Sequence, residues 1–251
     1  MKKLKKLSLF LIITGVLLTT LALMLQFFTS VGNLHPEFST GVENFANVRE
    51  IVAVSGTLPI RLEPTEDETC EVSWNSGLPL IVSCDEYGTL RITEDDSFTM
   101  TLFSEKAAES GITIRVPVKS YERIKLSSSS GDITCLGINC ESLDIYTRNG
   151  DISVFGANER SKIKSDGGNI YLSINSFTGD MTVSGGEGDI SVDLTESFDL
   201  FVEFLTDSGG CASSGFDINS SNQKGDAALL SGKGGNTLKI TTTSGNLTIK
   251  K

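Results

Sequence analysis

Gly131-Asp132-Ile133-Thr134-Cys135, Gly150-Asp151-Ile152-Ser153-Val154, Gly168-Asn169-Ile170-Tyr171-Leu172 and Gly188-Asp189-Ile190-Ser191-Val192 are four versions of one pentapeptide. Their glycines stand 19, 18 and 20 residues apart. Apolar residues recur at −7, −5, +2 and +4 from each glycine. Ile124, Leu126, Ile133 and Cys135 frame the first, and Leu143, Ile145, Ile152 and Val154 the second. Ile163, Ile170 and Leu172 frame the third, where Ser161 is the single miss, and Met181, Val183, Ile190 and Val192 the fourth. Alternation of apolar and polar positions is the period of a strand. Each unit therefore reads as two short strands joined by a turn at the glycine, where positive φ and the following Asp or Asn suit a tight reversal. A fixed period near twenty residues means units that stack, since one unit alone cannot bury its apolar face.

Working outward, the frame returns around Gly245 with Leu238, Ile240, Leu247 and Ile249, and in part around Gly209 with Val202, Phe204 and Cys211. The fold class expected is all-β: a single-domain β-solenoid of ~19-residue, two-strand coils. An antiparallel meander of hairpins is the rival arrangement. Residues 119–251 hold the repeats. Residues 48–118 alternate more loosely, through Leu58, Ile60, Leu62 and Ile112, Ile114, Val116, and read as an N-terminal β region or cap, with a helical turn near 105–110. Capping is needed because a stack exposes a bare edge at each end.

Residues 7–28 form an apolar run long enough to cross a bilayer core as a helix. Cleavage as a signal peptide is the alternative. Lys2, Lys3, Lys5 and Lys6 place residues 1–6 in the cytoplasm by the positive-inside rule, and the C-terminal domain outside the cytoplasm. Residues 29–47, with the single histidine His35, read as a juxtamembrane stalk. The formal net charge is −11. An acidic body argues against nucleic acid as a partner, which requires a basic face.

The motif Ile112-Thr113-Ile114-Arg115-Val116-Pro117, then Ile124-Lys125-Leu126, then Ser130-Gly131-Asp132-Ile133 and the repeated Gly-Asp-Ile-Ser-Val, resembles the bacterial putative-adhesin β-solenoid domains. The resemblance covers residues 48–251. With the N-terminal helix, the chain is also similar to membrane proteins of Lia-type cell-envelope-stress operons. The resemblance implies a membrane-anchored, non-enzymatic binding or scaffold module of the cell envelope, whose partners are another envelope protein or a surface polymer. The alternative it leaves open is an accessory of envelope-stress signalling that modulates a membrane partner.

Chemistry is sparse. Histidine-assisted nucleophilic catalysis needs an imidazole, and His35 lies in the stalk. Gly232-Lys233-Gly234 fails the phosphate-loop pattern, so no nucleotide is expected. A paired-carboxylate, polysaccharide-active site is the remaining enzymatic reading, without named residues. Asp132, Asp151, Asn169 and Asp189 form a column that reads as turn chemistry, although oxygen ligands at strand spacing would also suit calcium. No metal or cofactor is expected. Cys70 with Cys84, and Cys135 with Cys140, are candidate disulfides outside the cytoplasm. Residues 209–225 break the frame and read as a projecting loop, in which Phe216 and Ile218 keep the register of a short strand. Ser213, Ser214, Phe216, Asn219 and Asn222 are its candidate partner-binding residues.

Overall fold

A computed structural model describes residues 39–76, 79–94, 110–156, 160–176, 179–195, 200–215, 217–221, 227–231 and 235–250. The apolar run at 7–28, His35, Phe216 and Asn222 lie outside the described residues, as does most of the helical turn expected near 105–110. The chain divides into residues 1–37 and residues 38–251, and all the described residues fall in the second unit.

Every regular element among the described residues is a strand. The first seven are β1 (Ser39–Phe45), β2 (Glu50–Ser55), β3 (Ile60–Thr65), β4 (Cys70–Ser76), β5 (Leu80–Cys84), β6 (Thr89–Glu94) and β7 (Gly111–Pro117). The four frames supply β8 (Ser120–Ser128) with β9 (Ile133–Leu136), β10 (Asn139–Thr147) with β11 (Ile152–Phe155), β12 (Arg160–Ser165) with β13 (Ile170–Ile174), and β14 (Met181–Gly185) with β15 (Ile190–Leu194). The remainder is β16 (Leu200–Thr206), β17 (Cys211–Ser214), β18 (Asp217–Ser221), β19 (Ala227–Ser231), β20 (Asn236–Thr242) and β21 (Leu247–Lys250).

Two sheets face each other across one core. The A sheet runs β1-β4-β7-β3-β9-β11-β13-β15-β21-β17, and the B sheet runs β18-β19-β16-β20-β14-β12-β10-β8-β2-β6-β5. Each coil gives one strand to each sheet, and equivalent frame positions lie side by side. Ile145 stands beside Leu126 and Ile163 in parallel register, and Ile152 beside Ile133 and Ile170. Parallel pairing excludes the meander of hairpins, which would pair antiparallel. The inward positions are buried throughout, from Ile51 and Leu62 to Leu247 and Ile249.

Coil order in space departs from chain order at both ends. The coil β2/β3 sits between β6/β7 and β8/β9, and the C-terminal coil β20/β21 sits between β14/β15 and β16/β17. At three of the four sheet ends the outermost strands turn antiparallel: β4 against β7, β1 against β4, β5 against β6, and the hairpin β18–β19 against β16, whereas β17 ends the A sheet in parallel with β21. Strand β1 falls within residues 29–47, the stretch expected to be stalk. It escapes a period-based reading because it is an edge strand with few buried positions, and its inward Gly41 lies against the Trp74 indole.

The frame glycines serve a different purpose from the one their turn position implies. Among the described glycines positive φ occurs at Gly88, Gly137, Gly156 and Gly215, none of which is a frame glycine. Close approach explains them instead. A Cβ on Gly150 would lie 2.2 Å from the Gly131 carbonyl oxygen, and one on Gly168 would lie 1.9 Å from that of Gly150. The column continues through Gly188, Gly245 and Gly209, each packed on the carbonyl of the glycine before it in the stack.

Candidate functional site

Two ladders of side chains line the turns. Three residues before Gly131, Gly150, Gly168 and Gly245 a buried hydroxyl accepts the glycine N–H, whereas Gly188 has Gly185 at that position. Ser128 does so for Gly131 at 2.8 Å, Thr147 for Gly150 at 3.0 Å, Ser165 for Gly168 at 2.9 Å and Thr242 for Gly245 at 3.0 Å. Ser165 in turn donates to the Gly150 carbonyl of the neighbouring coil at 3.2 Å. Outside them, the column of acids and amides forms the second ladder. Asp132 Oδ1 accepts Asp151 N–H at 2.9 Å, Asp151 accepts Asn169 N–H at 2.7 Å, and Asn169 accepts Asp189 N–H at 3.0 Å. Asp189 continues to Asn246, and Asn246 to Gly210. One oxygen of each residue is therefore committed to the backbone of the next coil, which is turn chemistry. Among the described residues no three His, Cys, Asp or Glu side chains are grouped to hold a metal ion.

All five cysteines are thiols in the structure. Burial pushes the Cys70 thiol up to about 12, with a smaller contribution from Cys84. Burial likewise pushes Cys135 up to about 12, with Cys140 adding to it. Cys70 and Cys135 are therefore protonated, weakly nucleophilic groups at neutral pH.

The segment 209–225 does not project as a single loop. Ser213 and Ser214 belong to β17, which pairs in parallel with β21 at the end of the A sheet. Asn219 belongs to β18, the last strand of the B sheet. The interruption is largely strand, spent on the end of the stack, so removal of residues 213–224 would strip an edge rather than trim a loop. The short strand expected around Ile218 is β18, whereas the glycine- and serine-rich composition hid β17, a terminal strand that buries little.

The two outward faces differ in chemistry. Strand β12 presents Arg160, Lys162 and Lys164 outward on the B sheet, with Lys125 and Asp144 on the neighbouring strands. At one margin a groove of about 500 Å³ is lined by Glu50, Glu122, Arg123, Glu141, Ser142 and Arg160. Its carboxylates and guanidiniums are interleaved, so the groove has no dominant sign of charge. The A sheet is different. Its strands from β9 to β21 present mainly hydroxyl and aromatic groups, with Phe155 and Tyr171 in ring contact at 5.4 Å. A shallower groove of about 430 Å³ opens at the other end of the A sheet, beside Thr40, Ser73, Asn75 and Thr113.

Residues 122–250 match the family model of Toastrack DUF4097, just over half of the chain. The chain belongs to the Toastrack DUF4097 family. The matched Toastrack region begins in β8 and takes in all four repeat frames and the C-terminal coil. No curated protein matches the chain. Among solved structures, a "putative cell adhesion protein" from Clostridium sporogenes is similar, with a TM-score of 0.53 and 15% identity over 85% of this chain and 99% of that one. A "putative adhesin" from Bacteroides fragilis has a TM-score of 0.38 and 15% identity over 86% of this chain and 98% of its own. A "putative lipid binding protein" from Parabacteroides distasonis has a TM-score of 0.33 and 13% identity over 85% and 97%. The Clostridium likeness shows that the two-sheet architecture of the Toastrack chain, including strands ahead of residue 122, recurs in a solved structure. The resemblance drawn from the Gly-Asp-Ile repeat is thereby shown at the level of family.

Proposed function

We propose that this chain is an adhesin-like binding module of the bacterial cell envelope, anchored through residues 7–28 with residues 1–6 in the cytoplasm and the β-stack outside it. The observation that carries this reading is how the sequence divides its labour. Inward positions, buried hydroxyls and the Asx column all serve stacking, which leaves two long, regular outer faces as the surface available to a partner. A rigid scaffold with extended faces suits recognition of a large surface. The adhesion name carried by the Clostridium sporogenes structure supports the same reading. The apolar run and the lysines before it support the anchor.

Two measurements test it. Protease added to intact protoplasts should degrade the β-stack, whereas full protection would refute the orientation. Full-length chain in detergent micelles should co-sediment saturably with envelope fragments from cells lacking it. A chain that stays wholly in the supernatant would refute the binding role.

A further inference from the structure

We infer that the outer face of the A sheet, from β9 to β21, is a docking surface for a neutral β-linked glycan strand. The inference rests on the binding role proposed above and names its partner class. One outward row crosses five strands as Thr134, Ser153, Tyr171, Ser191 and Thr248, in direct register from coil to coil. The row beside it carries Leu136, Phe155, Ser173 and Asp193. Asp193 and Lys250 are the charged residues of these two rows, and they stand directly opposite each other. Between β9 and β13 the two rows carry no charge.

Three features point to a sugar. First, the charge-free stretch of both rows between β9 and β13 matches an uncharged ligand, whereas the net charge of −11 opposes a polyanion. A polycation would be drawn instead to the acidic remainder of the chain. Second, the hydroxyls are unspent. Those of Ser128, Thr147 and Ser165 bond to backbone, but the hydroxyls of Thr134, Ser153, Tyr171, Ser173, Ser191 and Thr248 engage no other group among the described residues. Each can donate and accept, which is what a sugar hydroxyl requires. Third, Phe155 and Tyr171 each leave 37% of their surface exposed, side by side in the middle of the rows. An apolar ring flanked by hydroxyls fits the C–H face of a pyranose and its equatorial rim. The geometry repeats at the right interval. Adjacent strands lie about 4.8 Å apart, close to the length one pyranose adds to an extended β-linked chain. A glycan crossing the strands would therefore meet one coil per sugar.

The test uses full-length chain in detergent micelles, pelleted with insoluble cellulose, chitin and phosphocellulose. The chain is expected on cellulose or chitin, with weaker retention on phosphocellulose. The double substitution Phe155→Ala with Tyr171→Ala should lower the bound fraction about tenfold, an aromatic-stacking loss. Ser153→Lys should weaken it as well. Lys162→Ala with Lys164→Ala, on the opposite sheet, should leave it unchanged. Melting temperature checks that each variant is folded. Absence of binding to both neutral glycans, preferential binding to phosphocellulose, or full binding by the folded aromatic variant would each overturn the inference. Envelope sedimentation separates the two readings. Retention on envelopes without glycan binding removes the glycan and keeps the module, whereas loss of both removes the module too.

Discussion

Gly150 shows what a single position contributes to the stack. Its Cα rests on the Gly131 carbonyl, and the space for a methyl group is taken by backbone, which cannot swing aside. Gly150→Ala is expected to cost at least about 2 kcal/mol, as overpacking against an immovable partner. A melting temperature equal to the parent's would contradict the close-approach account. Ser161 is the opposite case. It occupies a −7 position, is 6% exposed, and its buried hydroxyl has no hydrogen-bond partner. Ser161→Ala removes that unpaired group and is expected to stabilise the protein by about 1 kcal/mol, a rise of about 2–4 °C in Tm for a chain of this size. A lower Tm would mean that the hydroxyl has a partner after all. Sequence alternation marked Ser161 as an exception, but it gave no sign of the buried hydroxyls at −3. Thr147 and Ser165 sit among turn residues such as Arg148, Asn149 and Asp166, where a polar side chain looks solvated. Their burial follows from the neighbouring coil closing over them, which one unit read alone does not contain.

At the scale of elements, each strand divides into a face for the core and a face for solvent. In β11, Ile152 is buried and Ser153 faces out. Ile152→Asp places an unpaired charge between the sheets and is expected to cost more than about 4 kcal/mol, whereas Ser153→Asp should change stability by about 0.5 kcal/mol or less. Equal effects on urea midpoints would contradict the frame. This division was legible because strand period survives any arrangement of the coils. Charge on the outer face of the N-terminal strands has its own signature. Glu63 on β3 accepts from Arg61 at 2.6 Å and from Arg115 on β7 at 3.0 Å, and Arg115 also reaches Glu71 on β4 at 2.6 Å. Arg61 first, and then Arg115, hold the Glu63 carboxyl below its ordinary value of 4.5, against a partial opposition from desolvation. A carboxyl depressed in the folded state contributes stability above its unfolded pKa and loses it as pH falls through the folded one. Tm should therefore decline below about pH 4.5, and Glu63→Gln should flatten that decline. An unchanged acid profile in the variant would show the pair to be energetically idle, as many exposed pairs are.

At the scale of the whole molecule, the order of coils is what the sequence could not disclose. The frame around Gly245 is as complete as the frame around Gly150, so alternation alone makes residues 236–250 look like a last coil. In space that coil is internal. Its β20 lies between β14 and β16, and its β21 between β15 and β17. Stack order depends on which long-range pairing wins, and a repeat with interchangeable frames leaves that choice to the ends. The consequence separates this fold from a solenoid laid down in chain order. There, removing the final coil shortens the stack by one nearest-neighbour unit and leaves the rest nearly as stable. Here it deletes an interior layer and strands β16, β17 and the β18–β19 hairpin with no sheet to join. The deciding measurement is the thermal and urea unfolding of a chain ending at Ser231, compared with the full chain. The inserted-coil architecture predicts that the truncated chain loses native packing through residues 200–231 and exposes the β14 and β15 edges, with a much lower midpoint and aggregation. A truncated chain that unfolds at nearly the parent's midpoint, with residues 200–231 still protected from protease, would contradict it.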